Sequence, residues 1–263
     1  MKLLTPSSSN TKLAKTENRT EEFSVWSLSL APASLSGKNV CPNSTAACRA
    51  ACVGSACGLV TIWPGIMRAR IEKAQWLHED PEGFCAQLNN EIRNAEAYAT
   101  RQGRRLVVRL NCFSDIVWES SKYAIPQQHP NVIHYDYTKL YNRIGKQPEN
   151  YHLCASWTER PKDQSACLDL LERGHNVAVV FAQAGAFSGN RALGQQIPTR
   201  WKLTGSSKVW TVFPGDESDL RIPDIDPGPT RAGNGRICGL ALKSGSNETR
   251  AAAMVSGFCQ IVE

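Results

Sequence analysis

The stretch YHLCASWTERPKDQSACLDLLERGHNVAVVFA (residues 151–182) decides the fold class. Its two ends, YHLCASWT (151–158) and NVAVVFA (176–182), are short runs with aromatic or β-branched residues and predict strands. Between them, residues 162–173 have a helical pattern that stops at Gly174, a residue suited to ending a helix. A strand, a crossover helix and a second strand are typical of parallel pairing, so we expect an α/β fold.

Five more strand-like runs lie elsewhere in the chain: FSVWSLSL (23–30), RRLVVRLNCF (104–113), NVIHYDYT (131–138), KVWTVFPG (208–215) and RICGLALK (236–243). A long helix is predicted between the first two of them, because Asp80 can cap it, Pro81 suits its first position and Gly103 can end it. Seven strands in this order predict a TIM-like α/β barrel of mainly parallel strands, complete or incomplete. An open doubly wound sheet is the alternative.

The composition favours one globular domain. The chain has 263 residues, of which 41% are hydrophobic and 21% charged, enough to bury a sizeable core. We expect residues 1–20, rich in Ser, Thr, Asn and Lys, to be a disordered tail, and residues 21–263 to form the domain. No apolar run approaches the roughly 18 to 20 residues that span a bilayer, and the N-terminus lacks the pattern of a signal peptide. The expected location is therefore the cytoplasm, without a membrane partner.

Charge and motifs exclude some functions. A net charge of +6 permits only weak attraction to polyanions. The sequence contains neither GxGxxG nor GxxxxGK[ST], so those two modes of nucleotide binding have no support.

Cysteine is the strongest chemical signal. The chain has ten cysteines, and in a reducing cytoplasm they call for a metal, a catalytic role or a place in the core. Four of them lie within 17 residues, in a loop at 37–58 that follows the first long strand: Cys41, Cys48, Cys52 and Cys57. Their C-x6-C-x3-C-x4-C spacing lacks the CxxC knuckle of most zinc sites, whereas iron–sulfur clusters accept varied spacings.

The cysteine loop therefore predicts an iron–sulfur cluster, most simply 4Fe-4S, at the mouth of the fold. Loops after strands carry the chemistry in α/β barrels, which agrees with this position. Thiolate ligands leave such a cluster with net negative charge, which nearby basic residues can offset: Lys38, Arg49, Arg68 and Arg70. A structural zinc ion is one alternative, and a group of buried thiols or disulfides is the other.

Polar residues at the strand ends are candidates for binding a cofactor. Alternation in RRLVVRLNCFSD puts Arg109 and Asn111 on one face, with Asp115 just past the strand, and Lys139 ends HYDYTK. A structural ion pair between Arg109 and an aspartate across the barrel is the alternative interpretation.

GDESDLR supplies two further candidates, Asp216 and Asp219. Their carboxylates can hold a hard cation or act in acid–base chemistry. We favour the alternative that they cap a short helix and pair with Arg221.

Three scattered cysteines lie in predicted strands: Cys112, Cys154 and Cys238. As a hypothesis, one or more of them joins the cysteine loop in binding iron, which would give a larger or second cluster. Alternation sets Cys112 opposite Arg109, which counts against it, and buried structural thiols are the alternative.

Several motifs in order carry a family resemblance. SLAPASLSGKNVCP with its following cysteines, RLNCFSDIVWE, HYDYTK, NVAVVF and GDESDLR together resemble the phage gene product 88 family, from about residue 23 to 245. The resemblance implies a bacterial virus as the source, hence the host cytoplasm, and no activity. The layout is also similar to that of radical S-adenosylmethionine enzymes, but the cysteine spacing departs from their CxxxCxxC, which counts against S-adenosylmethionine as a cosubstrate.

Three functions remain open. The first is an iron–sulfur protein of radical-enzyme-like architecture with a redox or catalytic role, acting on an unknown small molecule or redox partner. The second is an electron carrier or redox sensor, in which Cys57 completes the cluster. The third is a zinc-stabilised nucleic-acid-binding module, although no basic-aromatic stripe supports nucleic acid as a partner.

Overall fold

A computed structural model describes residues 1–7, 21–55, 64–183, 187–188, 191–192, 196–243 and 246–262. The strands are β1 Leu4–Pro6, β2 Phe23–Leu28, β3 Arg105–Arg109, β4 Ile133–Thr138, β5 Tyr151–Ser156, β6 Val177–Gln183, β7 Phe187–Ser188, β8 Arg191–Ala192, β9 Arg200–Trp201, β10 Trp210–Pro214, β11 Ile237–Ala241 and β12 Gln260–Val262. The helices are α1 Ala46–Ala50, α2 Pro64–Glu79, α3 Pro81–Arg101, α4 Ile125–Gln128, α5 Pro161–Glu172 and α6 Asn247–Val255, with a 3-10 turn at Tyr141–Arg143.

Ten of the described strands form one sheet in the order β1-β2-β3-β4-β5-β6-β11-β10-β9, and β12 pairs with β6. The pairs β1–β2 and β9–β10 are antiparallel, and all other pairs in this sheet are parallel. The seven strands predicted from the sequence are all present, which confirms a mixed α/β fold with a mainly parallel sheet. From β2 to β6 the strand order follows the chain without a reversal.

Helices cover one face of the sheet. The apolar stripe of α3, formed by Phe84, Leu88 and Ile92, packs in one core cluster with Leu106 and Val108 of β3. The helix begins as the sequence predicts, because the Asp80 carboxylate accepts a hydrogen bond of 2.9 Å from the Gly83 N–H. Further along the sheet, α5 covers the same face of β6. None of the helices in the described part of the chain has the length and apolarity needed to cross a membrane.

An irregular segment, residues 215–226, packs on the opposite face. Leu220 and Ile222 pack there against Phe23, Val107 and Tyr135, which come from three adjacent strands. Because Val107 lies on this face while its neighbours in β3 face the helices, the alternation read from the sequence holds through the strand.

A buried ion pair fixes this irregular segment to the sheet. The Arg109 guanidinium lies 2.9 Å from the Asp219 carboxylate, and the Tyr135 hydroxyl donates to the same carboxylate at 3.1 Å. The side chain of Asp219 is only 2% exposed. The structure thus has the ion pair that the sequence left as the alternative for Arg109.

The expectation that GDESDLR caps a short helix and pairs with Arg221 is wrong. Residues 216–221 are not helical, and Arg221 pairs with Asp226 at 2.9 Å. The carboxylates form ion pairs with other residues: Asp219 with Arg109, and Asp216 with Lys243 at 2.6 Å. The sequence could not reveal these partners because they lie on distant strands.

The start of the chain also corrects a prediction. Residues 1–20 were expected to be a disordered tail, but Leu4–Pro6 is a strand that pairs with β2. Leu3 and Leu4 are buried, and their N–H groups donate to the Glu91 carboxylate of α3 at distances of 2.7 to 3.0 Å. Two apolar residues were enough to dock the segment despite its polar composition. Residues 8–20 lie outside the described part.

The Arg109–Asp219 pair gives a test of this inner packing. We expect Arg109→Met alone to lower the free energy of unfolding by about 3–5 kcal/mol, because it leaves Asp219 buried without its partner. The double variant Arg109→Met/Asp219→Leu should lose much less, since neither charge remains. Urea unfolding monitored by circular dichroism measures both values. Equal losses in the single and double variants would contradict the assigned pairing.

Candidate metal centre

The carboxyl ends of four neighbouring parallel strands meet at one edge of the sheet. β2, β3, β4 and β5 end there at Leu28, Arg109, Thr138 and Ser156. The cysteine loop leaves β2 directly and therefore starts at this edge, where loops carry the chemistry of α/β folds.

Hydrogen bonds tie the loop to the ends of the other three strands. They run from the Asp115 N–H to the Val40 carbonyl (2.8 Å), from the Asn43 amide to the Lys139 carbonyl (3.2 Å), and from the Thr45 hydroxyl to the Glu159 carboxylate (3.0 Å). The loop thus lies across the edge and is held at β3, β4 and β5 in turn.

Cys48 is placed by the short helix α1. The Thr45 hydroxyl caps this helix by accepting a hydrogen bond of 2.9 Å from the Cys48 N–H. α1 also contacts α6, so a distant element of the chain supports it.

Cys41 is held by backbone groups from two segments. Its thiol donates to the Phe113 carbonyl at 3.1 Å, and the Ala33 N–H donates to the Cys41 sulfur at 3.4 Å. Ala33 has a φ of +50°, a left-handed conformation that costs a non-glycine residue about 1–3 kcal/mol. The loop therefore holds a strained residue at the point where its N–H meets the sulfur.

The three described thiols of the loop lie near one another. The pKa of Cys41 is raised to about 11, chiefly by burial; the hydrogen bond from the Ala33 N–H opposes the rise, and charge repulsion from Cys52 and Cys48 adds to it. Burial also raises the pKa of Cys52, against the effect of hydrogen bonds from the Gly54 N–H and the Ser55 hydroxyl, and Cys48 adds to the rise. The three half-buried thiols therefore lie close enough for Cys48 and Cys52 to affect the pKa of Cys41.

Two cations, Lys139 and Arg70, accompany these thiols. Burial acts to lower the pKa of Lys139, but Cys48 and Asp115 outweigh it and raise the pKa overall. Burial lowers the pKa of Arg70, and only the charges of Cys112 and Cys52 oppose it. The other basic residues considered from the sequence, Lys38, Arg49 and Arg68, are exposed to solvent.

Asn111 and Asp115 belong to a buried structural network. Asn111 bonds the Asp136 carboxylate through its backbone N–H at 2.7 Å and its side-chain amide at 3.2 Å. Asp115 accepts hydrogen bonds from Thr138 (2.8 Å), the Lys139 N–H (2.8 Å) and Arg143 (3.1 Å). Both residues therefore shape the edge on which the cysteine loop rests.

Arg109, Asp216 and Asp219, three more candidates for binding a cofactor, have protein partners. Arg109 pairs with Asp219, while Asp216 pairs with Lys243 and accepts a hydrogen bond of 2.6 Å from the Ala241 N–H. Of the six predicted cofactor-binding residues, Lys139 forms a hydrogen bond with the Cys48 thiol, and Asp115 interacts with Cys41 by charge.

The scattered cysteines separate into two places. Cys154 and Cys238 share a small core cluster on the irregular-segment side of the sheet, and Arg221 donates to the Cys238 sulfur at 3.0 Å. Cys112 lies three residues beyond β3, so strand alternation does not place its thiol. It shares Arg70 with Cys52 as an electrostatic neighbour. Cys57 lies outside the described residues.

The chemistry of the three thiols fits a cluster of iron and sulfide. N–H groups directed at cysteine sulfurs and nearby cations are features that stabilise the negative charge of such a cluster. No group of three or more Cys, His, Asp or Glu side chains that could hold a metal ion is found among the described residues, which do not include Cys57. In a cluster, by contrast, each thiolate coordinates a different iron, so the ligands need not converge on one ion.

The sequence did not reveal the partners that organise this edge. Arg143 donates to the Glu119 carboxylate through two nitrogens, at 2.7 and 2.9 Å. Arg143 ends the short 3-10 turn and Glu119 lies in an irregular segment, so neither belongs to a periodic pattern. Thr45, three residues before Cys48, matches the spacing of a helix cap and is the one signal that could have been found.

Asp136 gives a pH test of the network beneath the loop. Burial raises the pKa of this fully buried carboxyl from 3.8 to about 7, although the Tyr151 hydroxyl lowers it. Between about pH 4 and 7 the folded protein holds a proton that the unfolded chain has released. The contribution of Asp136 to stability therefore falls as the pH rises through this window and is level above it.

We expect Asp136→Asn to remove this contribution, so that its loss of stability between pH 4 and 7 is smaller than that of wild type by up to about 4 kcal/mol. Urea unfolding at several pH values measures the difference, which cancels the titration of groups such as His134. Parallel curves for the two proteins would show that the Asp136 pKa is not raised.

Comparisons with known proteins identify the family. A family model described as gene product 88 matches residues 2–259, nearly the whole chain and all the segments that form the cysteine-loop edge. Comparisons with curated proteins and with solved structures find no significant match. The resemblance seen in the sequence motifs is thus confirmed, whereas the likeness to radical S-adenosylmethionine enzymes stays a prediction. The chain belongs to the gene product 88 family of bacteriophage proteins.

Proposed function

We propose that the protein binds an iron–sulfur cluster, 4Fe-4S in its simplest form, through Cys41, Cys48 and Cys52. The observation that carries the proposal is that one loop at the carboxyl edge of the parallel sheet holds these three thiols close enough for Cys48 and Cys52 to affect the pKa of Cys41. Thiolates are the ligands of such clusters, and a loop after a strand is a common place for them.

The charges around the thiols support this proposal. Without a metal, burial keeps the pKa of Cys41 near 11, so its thiol is neutral while Lys139 and Arg70 carry charges beside it. A partly buried cation needs a counter-charge. Thiolates bound to iron would provide one, because a cluster with three or four cysteine ligands is negatively charged.

The backbone supports it as well. The N–H groups of Ala33 and Gly54 and the Ser55 hydroxyl bond the sulfurs of Cys41 and Cys52. Donors of this kind offset the charge on cluster sulfurs and tune the reduction potential.

The strand order supports a barrel-like architecture for the site. β2 to β6 lie side by side in chain order, and helices cover a single face of them. A doubly wound sheet requires a reversal of order, whereas a barrel or partial barrel is built by this repeated step. We therefore propose an incomplete TIM-like barrel with the cluster at its mouth.

The fourth ligand decides between two roles. If Cys57 binds the fourth iron, the cluster is complete and suits an electron carrier or redox sensor. If that iron is open, a substrate or cosubstrate can bind it, and the protein is an enzyme of the radical type. A change in the cluster spectrum on adding S-adenosylmethionine would favour the enzyme, and retention of the wild-type spectrum in Cys57→Ala would argue against the carrier.

Anaerobic purification tests the cluster itself. We expect brown protein that contains iron and acid-labile sulfide, and loss of most of both in the triple variant Cys41→Ala/Cys48→Ala/Cys52→Ala, because its ligands are gone. The Cys85→Ala variant is the matched control and should keep its iron, because this half-buried thiol lies on α3 and has Lys122 as its charged neighbour.

Two outcomes would overturn the proposal. One is folded wild-type protein, made with ample iron, that is colourless and contains neither iron nor sulfide. The other is zinc bound in proportion to the loop cysteines, which would favour a zinc-stabilised module. Loss of iron in Cys154→Ala/Cys238→Ala would instead indicate a larger or second cluster.

A further inference from the structure

Arg70 differs from Arg68, the neighbouring arginine of its helix. It lies on α2, two residues after Arg68, whose side chain is 80% exposed and pairs with Glu72 at 3.9 Å. Arg70 instead is partly buried and reaches toward the cysteine loop. The two arginines therefore form a natural pair for comparison: one in solvent and one at the site.

Two contacts fix the Arg70 guanidinium. Its Nη1 donates to the Gly54 carbonyl at 2.8 Å, and the group lies 4.3 Å from the centre of the Phe113 ring. Both partners also contact the loop cysteines. The Gly54 N–H donates to the Cys52 sulfur, and the Phe113 carbonyl accepts a hydrogen bond from the Cys41 thiol.

The contact between these partners is tight. A Cβ atom added at Gly54 would lie 2.6 Å from Cγ of Phe113, so the loop and the ring leave no space between them. The guanidinium thus packs against a close contact between the loop and the ring.

The charge of Arg70 is not neutralised by an acidic residue. It forms no ion pair with a carboxylate among the described residues. The thiols of Cys112 and Cys52 interact favourably with its charge, and the buried Lys73 repels it. Lys139, the other cation of the site, differs in this respect because it also interacts with Asp115. Among the described residues, the favourable charge partners of Arg70 are therefore thiols and not carboxylates.

We propose that Arg70 is a positioning residue whose charge sets the reduction potential of the metal centre. This inference rests on the cluster proposed above. In the reaction concerned, a one-electron reductant transfers one electron to the cluster, no covalent bond forms or breaks, and the net charge of the cluster becomes more negative by one unit. A cation held nearby stabilises this reduced state more than the oxidised state.

The test compares variants of Arg70 and Arg68 in the full-length protein purified without oxygen. We expect Arg70→Gln to lower the equilibrium constant for reduction about tenfold, a shift of about 59 mV to more negative potential for a one-electron couple. Arg68→Gln should leave the midpoint unchanged, because its charge is screened by water. Arg70→Lys, which keeps the charge, should stay closer to wild type than Arg70→Gln. Redox titration with dithionite, followed by electron paramagnetic resonance, measures all four midpoints.

The outcomes separate this inference from the one on which it rests. Wild-type protein without iron and sulfide overturns the cluster and this inference together. Loaded proteins with equal midpoints for Arg70→Gln and Arg68→Gln overturn only the role of Arg70. If Arg70→Gln fails to hold a cluster, Arg70→Lys decides: a loaded protein near the wild-type midpoint supports the charge, and loss of the cluster there too shows that Arg70 is structural.

Discussion

The buried carboxylate of Asp115 joins the parts on which the candidate site depends. Its two oxygens accept hydrogen bonds from the side chain of Thr138, the backbone of Lys139 and the guanidinium of Arg143, while its own N–H reaches the Val40 carbonyl. One residue thereby connects the end of β3, the end of β4 and the segment just before Cys41. Parallel pairing brings the strand ends to one edge, and Asp115 sets the position of the cysteine loop on that edge.

The two faces of the sheet are closed by different means. Helices pack on one face with an ordinary apolar core. The other face is closed by an irregular segment that combines apolar residues with the Arg109–Asp219 ion pair. Such a pair adds little stability compared with an apolar replacement, but it strongly disfavours any packing that separates its charges. The ion pair therefore specifies how the irregular segment docks on the sheet.

The sequence predicted the elements well because their patterns are local. Short runs rich in β-branched and aromatic residues identified the seven main strands, and Asp80 with Pro81 marked the start of α3. Long-range partners could not be predicted in the same way. Asp219 pairs with Arg109 of β3 and not with Arg221 of its own motif. Asp219 and Arg109 are 110 positions apart, so no local pattern could indicate the pair.

The same limit applies to the site. Spacing alone singled out Cys41, Cys48 and Cys52. Cys48 and Cys52 affect the pKa of Cys41, and the role of the three as metal ligands stays a prediction. The sequence did not distinguish Arg70 from Arg68, because only the packing of α2 against the loop partly buries Arg70 and leaves Arg68 exposed. Nor did it show that Asn111 and Asp115 support the edge, because their partners come from other strands.

The central claim is that the thiols of the cysteine loop coordinate an inorganic cluster of iron and sulfide. Iron X-ray absorption spectroscopy on anaerobically prepared wild-type protein tests it most directly, because it reports both the ligands and the neighbours of each iron. We expect sulfur as the dominant ligand and a second shell of iron neighbours, as in a cubane. Iron surrounded by oxygen and nitrogen, or without iron neighbours, would contradict it.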